Sequence, residues 1–167
     1  MDEFFSRLLK LNLKTDWRMD LMFYHLERQP LERVLPQLLE KSLERGWKAV
    51  VEVSSAERRK ALDDLLWTYS ERSFLPHGLD GEPDCETQPI LITTGSDNAN
   101  GADIRFFADG ARLPPELGGY ERVAVLFDGA DPAALEAARA DWRQVKARGL
   151  SASYWQQNGD GRWEKKA

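Results

Sequence analysis

The run Val123-Ala124-Val125-Leu126-Phe127 is apolar at every position. A strand with one wet face would alternate, so this one needs cover on both faces. Two further runs read the same way, Lys48-Ala49-Val50-Val51-Glu52-Val53 and Pro89-Ile90-Leu91-Ile92-Thr93-Thr94. Leu21-Met22-Phe23-Tyr24-His25-Leu26 and Asp103-Ile104-Arg105-Phe106-Phe107-Ala108 add two more strands, the second by alternation. Helical patterns lie between them. Leu31, Val34, Leu35, Leu38, Leu39 and Leu43 recur at threes and fours, with Pro30 suited to the first turn and Gly46 just past the end. Pro36 is awkward there, so this helix kinks or begins later. Ser54 or Ser55 caps a second helix carrying Leu62, Leu65, Leu66 and Tyr69 on one side. Asp131-Pro132 opens a third, which runs to about Arg148 and stops at Gly149. Residues from Ser151 to Gln157 and from Arg162 to Lys166 flank Asn158-Gly159-Asp160-Gly161 as a terminal hairpin. Strands alternating with helices predict a three-layer α/β/α domain with a Rossmann-like, mostly parallel sheet.

The 167 residues fit one such domain, assigned to 19–167. Residues 1–18 stand apart as an N-terminal extension, with Phe4, Phe5, Leu8 and Leu9 forming one side of a short helix. Cys85 is the only cysteine, which excludes an internal disulfide and suits a reducing compartment. The chain opens with acidic residues, and no apolar run approaches the roughly 20 residues of a membrane span. A cytoplasmic protein without membrane contact is expected. The net charge of −5 opposes general nucleic-acid binding. Yet from Ala133 onward seven basic residues face four acidic ones, leaving a basic end on an acidic body. Such an end suits an acidic partner; a solvated helix face with a basic tail would look the same.

The sequence offers little chemistry. Gly95-Ser96-Asp97-Asn98-Ala99-Asn100-Gly101 lacks the lysine of a phosphate-binding loop and leads into a strand, and no dinucleotide fingerprint occurs. His77 lies near Asp80, Glu82, Asp84, Cys85 and Glu86, but the spacing matches no familiar metal site and reads as a solvated loop. Nothing selects His25 or His77 as a base for Cys85. No cofactor is expected.

Two stretches look built for binding. From Leu65 to Gly78 the chain is strongly apolar yet ends in Phe74-Leu75-Pro76-His77-Gly78, which cannot continue a helix. Phe74 is therefore expected at a forced helix stop, with Gly78 permitting a sharp exit. In the third helix, Leu135, Ala138, Trp142 and Val145 form a buried stripe. Arg139, Arg143 and Lys146 form a second stripe roughly 90° away on a wheel of about 100° per residue. A basic rim beside an apolar crevice suits an acidic peptide with a hydrophobic end. Arginine and lysine stems covering the core edge are the alternative.

The run Leu66-Trp67, Ser73-Phe74-Leu75-Pro76-His77-Gly78 and Gly81-Glu82 resembles the chi subunit family of bacterial DNA polymerase III. Phe23-Tyr24, Asn98, Asn100-Gly101, Val125-Leu126-Phe127-Asp128, Ala138-Arg139 with Trp142, Tyr154-Trp155-Gln156-Gln157 and Gly161-Arg162-Trp163 extend the likeness over roughly residues 20 to 167. The resemblance implies a non-catalytic replication adaptor of the clamp-loader assembly. It implies two partners: the psi subunit, with a repair helicase as its alternative, and the acidic, Phe-ended C-terminal tail of single-stranded DNA-binding protein. Contact with DNA would be mainly indirect. Arg139 aligns with a tail-binding arginine, while the family lysine one turn earlier aligns with Leu135. Arg143 or Lys146 would supply that charge, with Tyr154 nearby. Phe74 aligns with the aromatic used against psi or the helicase, flanked by Trp67, Pro76 and His77. Two rivals stay open. One is a degenerate nucleotide-binding or helicase-like α/β domain. The other is a direct single-stranded DNA binder using the six tryptophans and four tyrosines.

Overall fold

The computed structural model describes residues 19–167, so the N-terminal extension expected over 1–18 lies outside the described residues. Eight strands build one sheet: β1 (Asp20–Leu26), β2 (Ala49–Glu52), β3 (Gly78–Leu79), β4 (Ile90–Thr93), β5 (Ile104–Phe107), β6 (Arg122–Asp128), β7 (Ala152–Gln157) and β8 (Trp163–Lys165). Their spatial order is β3-β4-β2-β5-β6-β1-β7-β8. Every pairing is parallel except the terminal hairpin of β7 and β8. Helices α1 (Leu31–Glu44) and α2 (Ala56–Thr68) pack on one face, and α3 (Pro132–Ala147) packs on the other. The alternation along β1 makes the division. Tyr24 and Leu26 join Val34, Leu35, Leu39, Leu62 and Leu66 on the first face. Leu21 and Phe23 join Ala138 and Val145 on the second. The sheet is therefore covered on both sides, which is why its central strands carry unbroken apolar runs. Among the described residues no helix is long and apolar enough to cross a membrane.

Several local expectations change. Pro30 occupies the cap before α1, not its first turn, and α1 continues through the buried Pro36. The N–H missing at Pro36 would serve only the Glu32 carbonyl, which lies in the first turn. Gly46 adopts φ +80° just beyond the helix, as a helix-ending glycine does. Strand β5 is buried at all four positions and does not alternate inside and outside. Its Arg105 is 1% exposed. That guanidinium donates to Glu52 Oε1 at 2.5 Å, to the carbonyls of Gly95 and Asp97, and to the Tyr120 hydroxyl. A buried charge is tolerable only with such complete pairing. Here the pairing ties the 95–101 loop and Tyr120 to the sheet.

The stretch before Gly78 departs most from expectation. Helix α2 ends at Thr68, six residues before Phe74, so Pro76 is not what stops it. The chain then runs without regular structure into β3, a two-residue edge strand that pairs with Leu91 and Ile92. Gly78 makes no sharp exit. It sits in β3, and a Cβ there would lie 2.8 Å from Gln88 Cγ, so glycine is required by close packing.

Candidate functional site

Two surfaces hold the residues that the sequence singled out. The first is built on α3. The Asp131 side chain accepts from the Ala133 N–H at 3.0 Å to start the helix, and Gly149 at φ +73° ends it. Ala138 and Val145 are buried as the wheel requires. Trp142 is partly buried and meets the edges of Phe23 and Tyr154 at centroid distances of 5.4 and 5.7 Å. Tyr154, on β7, lies 6.0 Å from Phe127. Leu135 packs against the rim of the same core. Phe127, Trp142 and Tyr154 thus form an aromatic floor beside the helix.

The cations stand at its edge. Arg139, Arg143 and Lys146 are all exposed. The Lys146 ammonium lies 5.4 Å from the centre of the Trp142 ring. Arg143 faces Glu136 at 3.6 Å, an exposed pair worth little. Arg139 acts on Tyr154 through space. Burial pushes the Tyr154 phenol above its ordinary range, and the Arg139 charge pulls it partly back. The structure therefore brings Arg139, Lys146, Leu135 and Tyr154 around one floor and turns Arg143 toward Glu136.

A polar network that no local sequence pattern announces lies beneath this floor. His25, 8% exposed, lies between Tyr154 and Glu27. Its Nδ1 is 2.6 Å from the Tyr154 hydroxyl and its Nε2 is 2.9 Å from Glu27 Oε1. With Nε2–H donating to the carboxylate, Nδ1 accepts from the tyrosine. Gly129 makes room for the ring, because a Cβ there would fall 1.9 Å from His25 Nε2. Asp141 is a second surprise: it is buried on the inward face of α3 and gripped by Arg112 Nε at 3.1 Å and a terminal nitrogen at 2.7 Å. This bidentate pair fastens the segment before β6 to α3. Neither partner is close to the other in sequence, so no local pattern announces the contact.

The second surface lies at the far edge of the sheet. Trp67 and Phe74 are 56% and 65% exposed, with ring centroids 5.6 Å apart. They are the exposed large hydrophobic side chains among the described residues. Leu75, the next residue, is 2% exposed and plugs the core. His77 is buried under Trp67 at 4.8 Å. Its Nδ1 lies 2.7 Å from the Leu75 carbonyl and its Nε2 2.9 Å from Asp63. Pro76 is half-buried between them. The extended backbone thus alternates inward anchors with an outward Phe74. Two of the carboxylates near His77 in sequence are engaged elsewhere: Asp80 pairs with Arg59, and Glu82 accepts from the Leu79 N–H.

These surfaces are far apart. Six strand spacings separate β3 from β7, roughly 29 Å at about 4.8 Å each. They also lie on helices packed against opposite faces.

Comparison with known proteins shows the family of the chain. The family described as DNA polymerase III chi subunit, HolC, matches residues 19–153. The chain is 32% identical over 81 residues to the probable DNA polymerase III subunit chi of Rickettsia prowazekii, covering 48% of this chain and 49% of that protein. It is 28% identical over 117 residues to DNA polymerase III subunit chi of Pseudomonas aeruginosa, covering 70% of this chain and 80% of that one. The chain thus spans about half the length of the first relative and four fifths of the second. With most of its described residues inside the family match, the chain belongs to the DNA polymerase III chi subunit family.

Proposed function

We propose that the chain is a non-catalytic accessory subunit of DNA polymerase III that acts in DNA replication as an adaptor. The α3 surface takes the acidic, Phe-terminated tail of single-stranded DNA-binding protein. The Trp67–Phe74 surface docks the psi subunit of the clamp loader, or a repair helicase in its place. The domain that carries both surfaces spans 19–167, works in the cytoplasm and touches DNA mainly through its partners.

One observation carries the reading: exposed cations stand over an aromatic floor on α3, and Arg139 makes no ion pair among the described residues. In this reading Arg139 holds the terminal carboxylate through its planar fork. Lys146 and Arg143 face the preceding aspartates, and Leu135 and Tyr154 wall the space for the terminal ring. The exposed pair of Trp67 and Phe74 supports the second docking role, because apolar patches of this kind mark interaction sites. Pro76 and His77 hold that pair in place.

Calorimetric titration with an acidic Phe-ended peptide, and with its Phe-deleted form, tests the first surface. Arg139→Ala should weaken binding by about tenfold or more, the worth of one charge-assisted contact. Deleting the Phe should abolish binding, and added salt should weaken it. Unchanged affinity in Arg139→Ala would overturn the site.

A further inference from the structure

A third site lies across the sheet from α3. A cavity of about 200 Å³ opens between α1, the first residues of β5 and β6, and the β7–β8 hairpin. Its lining combines three cations, Lys41, Arg45 and Arg122, with the aromatic rings of Tyr24, Trp47 and Trp163. The guanidinium carbons of Arg45 and Arg122 lie 5.1 and 5.4 Å from the centre of the Trp47 ring. Trp163 stands edge-on to Tyr24 at 5.0 Å.

Ser42 and Trp155 in this lining donate to the Leu38 carbonyl and the Ser153 hydroxyl, but among the described residues the cations and the phenol lack strong partners. Among the described residues, none of the three cations makes an ion pair. Arg122 Nε is buried without a hydrogen bond. The Tyr24 hydroxyl reaches only the Met22 sulfur at 3.6 Å, and a thioether is a weak acceptor. Buried donors left unmade are costly. In a chain of net charge −5, three uncompensated cations around one cavity are a specific feature.

We propose that this cavity binds a nucleotide unit, with its phosphate on Arg45 and Arg122 and its base against the indole rings. Charge favours this class over a peptide carboxylate. A carboxylate brings one negative charge to three cations, whereas a terminal phosphate brings close to two. Two guanidinium forks match phosphate oxygens. Indole faces stack on any base, which a hole shaped for one side chain would not do. The cavity has room for a single flat group and its phosphate. The source is either a free nucleotide or the 5′-phosphorylated end of a single strand.

Tryptophan fluorescence of the full chain, titrated with thymidine 5′-monophosphate, thymidine, inorganic phosphate and a short 5′-phosphorylated oligothymidylate, tests the proposal. The monophosphate should bind saturably, with thymidine and phosphate each weaker by about tenfold or more. Arg122→Gln and Arg45→Gln should each weaken the monophosphate by a similar factor. Arg45 is exposed at the end of α1, so its variant keeps the fold if Arg122→Gln does not. Arg139→Ala should leave nucleotide binding unchanged, which separates this site from the tail surface. Tighter, steeply salt-dependent binding of the oligonucleotide assigns a strand as the source; equal affinity assigns the free nucleotide. Absence of saturable binding by either, or full binding in Arg45→Gln, overturns the proposal. So does displacement of the nucleotide by a carboxylate-ended acidic peptide whose binding needs Arg122.

Discussion

Phe74 and Leu75 are neighbours in sequence with opposite environments, and the pair separates docking from packing. Phe74 is 65% exposed, so only about a third of its surface is buried in the free protein. Full burial of a phenylalanine is worth up to about 3 kcal/mol, so Phe74→Ala should cost about 1 kcal/mol. Leu75 is 2% exposed and belongs to the core beside α1 and α2. Leu75→Ala should cost about 2–5 kcal/mol, the range for buried leucines that leave a cavity. Urea denaturation reads the difference. At a slope of about 2 kcal/mol/M, Phe74→Ala should lower the midpoint by about 0.5 M and Leu75→Ala by about 1–2.5 M. Phe74→Ala should also lose psi in a pull-down while its affinity for the tail peptide is unchanged. If Phe74→Ala unfolds as readily as Leu75→Ala, Phe74 is a packing residue and not a ring presented for docking.

Three further outcomes are expected. Gly129→Ala drives a methyl into His25 Nε2, so it should cost about 1–3 kcal/mol in thermal denaturation, and adding His25→Ala should recover part of that loss; no recovery would show that the clash lies elsewhere. The Tyr69 hydroxyl donates to Glu40 at 2.5 Å, and burial first, then this bond, push the phenol up to about 12. Because the folded value is raised, the stabilisation is complete below about pH 10 and is lost as pH rises toward 12; Tyr69→Phe should flatten the fall of the denaturant midpoint across that window, and an unchanged fall would refute the link. Leu135→Lys places a cation one turn before Arg139 on a partly buried rim, so tail-peptide affinity should rise by about threefold at low salt and the gain should shrink as salt is added; calorimetry at two salt concentrations decides it.

The layers were legible because each strand of the central sheet is covered on both sides and so carries its signal in its own residues. The runs at Val50, Ile92 and Val125 need no distant information to be read as buried. The cap at Asp131 and the stop at Gly149 are local in the same sense, and so is the wheel that places Arg139 beside Trp142. Features that depend on a distant partner were missed. Arg105 looks like an outward residue of an alternating strand until Glu52 and Tyr120 are placed against it. Asp141 looks solvent-facing until Arg112 returns to it from another segment. Gly78 reads as a turn because Gln88, which forbids a side chain there, lies ten residues on. Gly129 follows a strand in an unremarkable way, and only the His25 ring gives it a reason.

The placement of the two proposed docking surfaces bears on how an adaptor would work. Phe74 stands beside β3 at one edge of the sheet, and Arg139 stands on α3 over strands near the other. Between them lies a parallel sheet packed on both faces, and interiors of this kind are dense and resist deformation. A ligand on one surface can change affinity at the other only through an element with two arrangements. Between these surfaces the described residues form one continuous hydrogen-bonded sheet from β3 to β7. Substitutions this far apart with no shared partner usually add within about 0.5 kcal/mol. On the proposed reading, the adaptor would therefore join its partners by holding both at a fixed separation. In this arrangement the gain comes from effective concentration: a tail captured on α3 keeps its protein close to whatever is docked at Phe74, and neither contact needs to strengthen the other.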